Sequence, residues 1–239
     1  YQPDPGLAYQ LPAAGDYTLI VRDTLYRGRE DFVYRVAVGE LPFVSGMFPL
    51  GGAPGKETDF ALNGWNLPAA ARHARLPEES GIHALDMGRC VAATGAVEVA
   101  VDDVPECGET GPNDTSGEAQ AVTLPVMVNG KIERVGDEDW FQFQAKAGEP
   151  QVVEVTARRL RSPLDGTLQV FGPDGAVLAA NDDDDDKADG LSTHHADPRL
   201  VFTPPGGDGV YRVRLADAQH HGGYDYSYRL RIGAPLPDF

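Results

Sequence analysis

The stretch GVYRVRLADAQHHGGYDYSYRLRIG, residues 209–233, holds the pattern on which the fold turns. Apolar side chains recur at alternate positions, Tyr211, Val213 and Leu215 before Gly222 and Gly223, then Tyr226, Tyr228, Leu230 and Ile232 after them. Alternation lays one set of side chains on one face of a strand, and two such runs around a glycine-bearing turn predict a β-hairpin. The tyrosines are expected to fill the core, because aromatic rings suit half-buried strands.

The same stretch occurs twice. GDYTLIVRDTLYRGREDFVYRVAVG, residues 15–39, aligns with it without a gap, and eight of the 25 positions are identical. Among the identities are Tyr17 with Tyr211, Asp23 with Asp217, Gly28 with Gly222, Asp31 with Asp225, Tyr34 with Tyr228 and Arg35 with Arg229. Upstream, with one extra residue allowed, Asp4, Pro5 and Leu7 match Asp197, Pro198 and Leu200. Similarity at a fixed offset marks duplicated structural units. A lone hairpin is marginal in water, so residues 1–42 read as the C-terminal part of an earlier sandwich, packed on a neighbour or taking strands from another chain. The chain opens at Tyr1 without an initiator Met or a signal peptide, which reads as a processed start with sequence lost upstream.

Composition supports an all-β class of tandem sandwiches. The chain has 239 residues, long for one domain, and its 28 Gly and 19 Pro leave little room for long helices. A formal charge of −17, from 37 acidic against 20 basic side chains, argues against nucleic acid, whose phosphates are bound by clustered Lys and Arg. Such a surface suits hard cations or simple solubility. No apolar run approaches the roughly 20 residues of a membrane span. Cys90 and Cys107 flank a β-like run and are read as either a disulfide or two free thiols.

Four segments follow from the punctuation. Residues 1–42 carry the first repeat copy; residues 43–104 alternate at Phe60, Leu62 and Trp65 and close on Val97, Val99 and Val101, enough for a small immunoglobulin-like sandwich. The Ala-rich stretch from Ala69 to Arg75 is expected to add a helical turn. Residues 105–118 form a linker rich in acid, Gly and Pro, and residues 119–239 contain seven or eight short strands, a jelly-roll-like sandwich.

Within that last segment, Gly136-Asp137-Glu138-Asp139-Trp140-Phe141, then Ala147-Gly148, Ser162-Pro163-Leu164-Asp165, Asp174-Gly175, Asn181-Asp182-Asp183, Asp197 and Gly209 to Leu215 together resemble the bacterial pre-peptidase C-terminal domain. The resemblance covers roughly residues 118–234 and, in part, 1–42. The family is similar to the collagen-binding domains of clostridial collagenases. Phe43 to Pro68, through Gly64-Trp65-Asn66-Leu67, is similar to the immunoglobulin-like IPT/TIG type. The whole arrangement, with Thr193 to Asp197 and the ending Pro237-Asp238-Phe239, looks like large multi-module proteins of planctomycete-type bacteria. The resemblance implies a secreted or cell-surface accessory region, without catalysis of its own, beside neighbouring modules of a larger chain.

Calcium takes six to eight oxygens from carboxylates, amides and carbonyls on short loops. Two places offer them. In the first, Glu106, Glu109, Asn113 and Asp114 of the linker are joined by Asp137 and Asp139 from the loop before Trp140. The collagen-binding relatives imply calcium at such a joint, although Cys107-Gly108 and Thr110-Gly111 space the acids differently here. The second is the run Asp182 to Asp186, with Asp182, Asp184 and Asp186 as candidate ligands and Asp197 beyond it. This run lacks the EF-hand pattern: Lys187 stands where Gly is needed and Thr193 where Glu is expected. A solvated loop accounts for it equally well, and Asp197, matched by Asp4, suits a turn or strand-entry role ahead of metal ligation.

Ser192, His194 and Asp197 have the residue types of a hydrolase triad but lie within six residues of one another, and no Gly-x-Ser-x-Gly elbow exists. His194, His195, His220 and His221 have zinc chemistry if their loops meet, yet His220 and His221 align with Tyr26 and Arg27. Arg158, Arg159 and Arg161 are the one compact basic cluster, expected to pair internally with aspartates or else to contact an anionic partner. The expected function is a calcium-stabilised spacer or adhesion unit for an extracellular polymer, a polysaccharide or a protein fibre. The alternative is the accessory region of a larger secreted hydrolase.

Overall fold

The computed structural model describes residues 6–23, 25–68, 71–86, 88, 91–92, 97–183, 197–205 and 207–235. From Phe43 onward the described chain is built from strands, with one 3-10 turn at Arg158–Leu160 and no α-helix. No helix among the described residues is long and apolar enough to cross a membrane. The all-β expectation holds, and its physical source is the alternation already seen: each strand buries one face and wets the other.

The first unit comprises β1 (Phe43–Phe48), β2 (Gly51–Gly52), β3 (Glu57–Trp65), β4 (Ala71–Arg75), β5 (Gly81–Leu85), β6 (Val91–Ala92) and β7 (Val97–Val101). They form a sheet ordered β4-β3-β1-β6 and a smaller one ordered β2-β7-β5. Val44, Met47, Phe60, Leu62, Leu76, Val97, Val99 and Val101 meet in one core. Ala71 to Arg75 is a strand and not the expected helical turn. Its register sets Arg75 opposite Glu57 and His73 opposite Asp59, with the His73 ring 2.7 Å from Asp59 and 3.2 Å from Glu57. Opposite charges across a ladder favour pairing, and here they outweigh the helix preference of alanine.

The second unit comprises β8 (Glu106–Gly108), β9 (Gln120–Ala121), β10 (Val126–Lys131), β11 (Glu138–Ala145), β12 (Gln151–Thr156), β13 (Gly166–Phe171), β14 (Val177–Asn181), β15 (Arg199–Phe202), β16 (Gly209–Asp217) and β17 (Ser227–Gly233). Two five-stranded sheets result, ordered β15-β12-β17-β10-β8 and β14-β13-β16-β11-β9. Between them lies a core that includes Val128, Phe141, Val153, Leu168, Val213 and Leu230, all fully buried. Truncating Phe141 to Ala would cost about 3–5 kcal/mol through lost transfer energy and the cavity left behind.

Three features differ from the sequence expectation. β16 and β17 do not pair as a hairpin: β16 lies between β13 and β11, β17 between β12 and β10. They form a β-arch, the chain crossing from one sheet to the other. The two strands present their apolar faces to the same core from opposite sides, as the two sheets of a sandwich do. Secondly, the acidic linker is partly structural. Its β8 runs parallel to β10 as an edge strand, tied by Met127 N–H to Pro105 O at 2.8 Å and Glu109 N–H to Asn129 O at 2.9 Å. Thirdly, the described residues between 6 and 42 form no strand, and their side chains are exposed as far as Leu41, with Pro42 half-buried. A central strand needs neighbours on both sides, and the first repeat copy has none among the described residues.

The units are joined by specific polar contacts. Asp225 accepts from Asn63 Nδ2 at 2.7 Å and from Ser45 Oγ at 3.2 Å. Arg161 donates to Glu98 at 3.1 Å. The guanidinium of Arg229, itself fully buried, donates to Asn129 at 2.8 Å, Asp102 at 2.8 Å and Glu106 at 2.9 Å. It thereby staples the connection between the sandwiches onto the second one.

Candidate cation site at the joint of the two sandwiches

The loop between β10 and β11 turns back through Glu133 to Gly136. Asp137 shapes it: Glu133 N–H donates to Asp137 Oδ2 at 2.7 Å, and Asp137 N–H donates to Arg134 O at 3.1 Å. Asp139 follows on β11, where alternation points it inward beside Phe141. The segment after β8 brings Glu109 and Asn113 to the same place, held by Trp140 N–H donating to Asn113 O at 2.8 Å. Asn113, Asp137 and Asp139 are buried, and Glu109 and Asp114 half-buried. Of the candidate ligands, Glu109, Asn113, Asp114 and Asp137 line one cleft of about 380 Å³, reached also by Lys131 and Arg134, and Asp139 lies buried behind it, next to Asn113 and Tyr228.

Hydrogen bonds knit this group. Tyr228 Oη donates to Asp139 Oδ2 at 2.7 Å, with Glu109 Oε2 at 3.5 Å. Asn113 Nδ2 lies 3.5 Å from Asp139 Oδ1. Glu109 Oε2 accepts Lys131 N–H at 2.8 Å. Arg134 pairs with Asp114 and stands 3.3 Å from Asp137 Oδ1, but without the alignment of a hydrogen bond, so that Oδ1 is a buried acceptor with no donor. Gly130 makes the approach feasible, since a Cβ there would sit 2.3 Å from Tyr228 Oη and 2.6 Å from Glu109 Oε2.

Burial first, and the neighbouring Glu109 second, push the Asp139 carboxyl up to about 9. Burial likewise raises Glu109 and, more strongly, the phenol of Tyr228. Two close carboxyls out of water cannot both carry charge cheaply; they share a proton or require a cation. The donors here are all oxygen, the chemistry that suits a hard divalent ion. Among the described residues no three carboxylate, imidazole or thiol groups form a preassembled cage. Tyr228, Asn113 and Arg134 instead stand between the acids.

The other candidates are placed elsewhere. Asp197 is buried and fully engaged: Oδ1 accepts Ala157 N–H at 3.1 Å and Arg158 N–H at 2.7 Å, while Oδ2 accepts Arg159 N–H and Nε, both at 3.0 Å. It anchors the 3-10 turn after β12, which corrects the ligand reading for this residue. Asp182 is exposed at the end of β14, and Asp184 and Asp186 lie outside the described residues, as do Cys90, Ser192, His194 and His195. His220 and His221 sit on an exposed turn. The arginine cluster pairs internally as expected, Arg159 with Glu154 and Asp197, Arg158 with Asp165 and Arg161 with Glu98. Sequence reasoning gave Tyr228 a packing role and missed its hydroxyl. The available signal was that a tyrosine buried in a central strand needs a partner for its OH.

With this geometry in hand, the class is an all-β sandwich chain with a buried acidic cluster at its inter-unit joint. Residues 137–217, the span from that cluster through β16, match the family model of the bacterial pre-peptidase C-terminal domain. Among solved structures, the pre-peptidase C-terminal domain of a collagenase from Bacillus anthracis is similar at 13% identity and a TM-score of 0.34, covering 52% of this chain and 99% of that one. No curated protein matches the chain.

Proposed function

We propose that this chain is a non-catalytic, secreted or cell-surface accessory region whose second sandwich is stabilised by calcium at Glu109, Asn113, Asp114, Asp137 and Asp139. The observation that carries this reading is the buried Asp137 Oδ1 without a donor, beside the Asp139 and Glu109 carboxyls. A bound ion would supply the missing positive charge, displace the shared proton and lock the segment after β8 onto the loop before β11. Arg134, 60% exposed, already neutralises Asp114 in part and would swing outward to admit the ion. The β1–β7 unit, read as immunoglobulin-like, then acts as a spacer held at a set angle. The whole presents a rigid adhesion unit to an extracellular polymer, polysaccharide or protein fibre. The match of residues 137–217 to a family named for its place beside peptidases favours a second reading, the accessory region of a larger hydrolase; a catalytic domain in the same reading frame would decide for it.

The test is calcium titration by calorimetry on chelator-treated protein, with thermal melts alongside. Saturable binding with a raised melting temperature is expected, since a ligand bound only by the folded state stabilises it. Asp137→Asn with Asp139→Asn should abolish both, and their absence in the unsubstituted protein would refute the calcium assignment.

A further inference from the structure

The first repeat copy has the local geometry of the second without its neighbours. In the second copy, Asp217 Oδ2 accepts the N–H of Gln219 at 3.0 Å and of His221 at 2.8 Å. In the first, Asp23 Oδ2 accepts the N–H of Leu25 at 3.0 Å and of Arg27 at 2.9 Å. Both turns continue with the third residue's N–H donating to the aspartate carbonyl at 3.0 Å, Tyr26 to Asp23 and His220 to Asp217. That third residue is left-handed in each, with φ of 54° at Tyr26 and 57° at His220. Both tyrosines cap the same way, Tyr17 Oη to Ala13 O at 2.6 Å and Tyr211 Oη to Gly207 O at 3.1 Å.

What differs is burial. Tyr211, Val213, Leu215, Tyr228, Leu230 and Ile232 are at most 1% exposed, whereas Tyr17, Leu19, Val21, Tyr34, Val36 and Val38 are 45–80% exposed. Each of these six inward positions of the arch therefore keeps an apolar residue with no core around it among the described residues, while of the buried apolar residues Ala216 alone is matched by a charged one, Arg22. Gly28 makes the same point through sterics. At Gly222 a Cβ would sit 2.1 Å from the backbone oxygen of Arg134, yet nothing lies within 4 Å of a Cβ at Gly28. Glycine is required by a neighbouring backbone in one copy and by nothing among the described residues in the other.

We infer that residues 15–39 are the closing β-arch of a second sandwich of the same type, whose flanking strands, equivalent to β10–β13, lie N-terminal to it in the same polypeptide. The N-terminal side follows from the match of Asp4, Pro5 and Leu7 with Asp197, Pro198 and Leu200, which extends the copy in the order β15 then β16. The matching slots in the 119–239 sandwich are filled by β16 and β17, so a second intact copy of this chain offers no place for the arch. The inference does not depend on calcium.

The experiment joins an added copy of residues 105–203 directly ahead of Gln10 of this chain, which reproduces the spacing between β15 and β16. Amide hydrogen exchange is then followed over residues 15–39. Exchange slowed by at least about a hundredfold, the protection of strands inside a folded unit, is the expected result. Leu19→Asp with Val36→Asp should return it to the fast rate while residues 209–233 stay protected. Equal exchange with and without the added block would overturn the inference, as would a dimer of the unextended chain with residues 15–39 already protected. Should the extended chain fail to fold, residues 15–39 are grafted in place of 209–233, position for position. A cooperative melt supports the arch, and a non-cooperative one overturns it.

Discussion

Tyr228 Oη and Asp139 Oδ2 meet at 2.7 Å across the core, linking β17 of one sheet to β11 of the other. The bond is at once a seam between sheets and a lid on the acidic cluster. Tyr228→Phe keeps the ring and its packing but leaves a buried acceptor short of its best donor. A loss of about 1–3 kcal/mol is expected for such an unsatisfied group, measured by urea unfolding at neutral pH in chelator.

The cluster also sets a pH dependence. Asp139 has its folded pKa raised to about 9 by burial and by Glu109, far above an unfolded carboxyl near 4. Between those values the folded state holds a proton that the unfolded state has released. Stability of the metal-free protein should therefore be highest in mild acid and fall as pH rises through that window. If calcium binds as proposed, it must displace this proton near neutrality. Calorimetry in two buffers of different ionisation enthalpy should then report proton release, and identical heats would exclude it.

Asp197 provides the contrasting acid. It accepts three backbone N–H groups and the Arg159 side chain, so Asp197→Ala leaves those N–H groups without their acceptor, leaves Arg159 to pair with Glu154 alone and unties the turn after β12. A loss of about 3–5 kcal/mol is expected from breaking a buried pair on one side. Calcium affinity, where it exists, should be unchanged under conditions in which the variant remains folded.

Asp225 tests the joint. Its carboxylate is shared by Asn63 and Ser45 of the first unit, and Gly46 permits the approach, since a Cβ there would lie 2.2 Å from Asp225 Oδ1. Asp225→Ala should cost about 1–2 kcal/mol, the scale of charged hydrogen bonds lost at a partly wet contact. Scanning calorimetry should show the two units melting further apart in temperature than in the parent.

Several structural decisions were already legible in residue order. Period-two alternation at Tyr211 to Leu215 and at Tyr228 to Ile232 marked strands and their inward faces, whereas the same alternation at residues 15–39 forms no strand among the described residues. Asp137 and Asp139 stood out because acids flank a strand start there, and Glu109, Asn113 and Asp114 because they crowd a Gly- and Pro-rich connection. The arginine cluster was expected to pair with internal aspartates, and Arg158 and Arg159 do, whereas Arg161 pairs with Glu98. β8 was not legible, because three residues with no alternation carry no period to read; its pairing comes from the edge that β10 leaves open.

Sequence alone determined the class of this protein, its duplication and the face that each strand buries, because a strand's side chains alternate by covalent geometry whatever its neighbours are. Which sheet each strand joins, an arch in place of a hairpin, was decided only when β16 and β17 packed on one core from opposite sides. The same holds for the acids. Asp197 and Asp139 are chemically identical, and the first became a backbone anchor and the second a buried proton holder because tertiary packing delivered N–H donors to one and took the other out of water beside a second carboxyl.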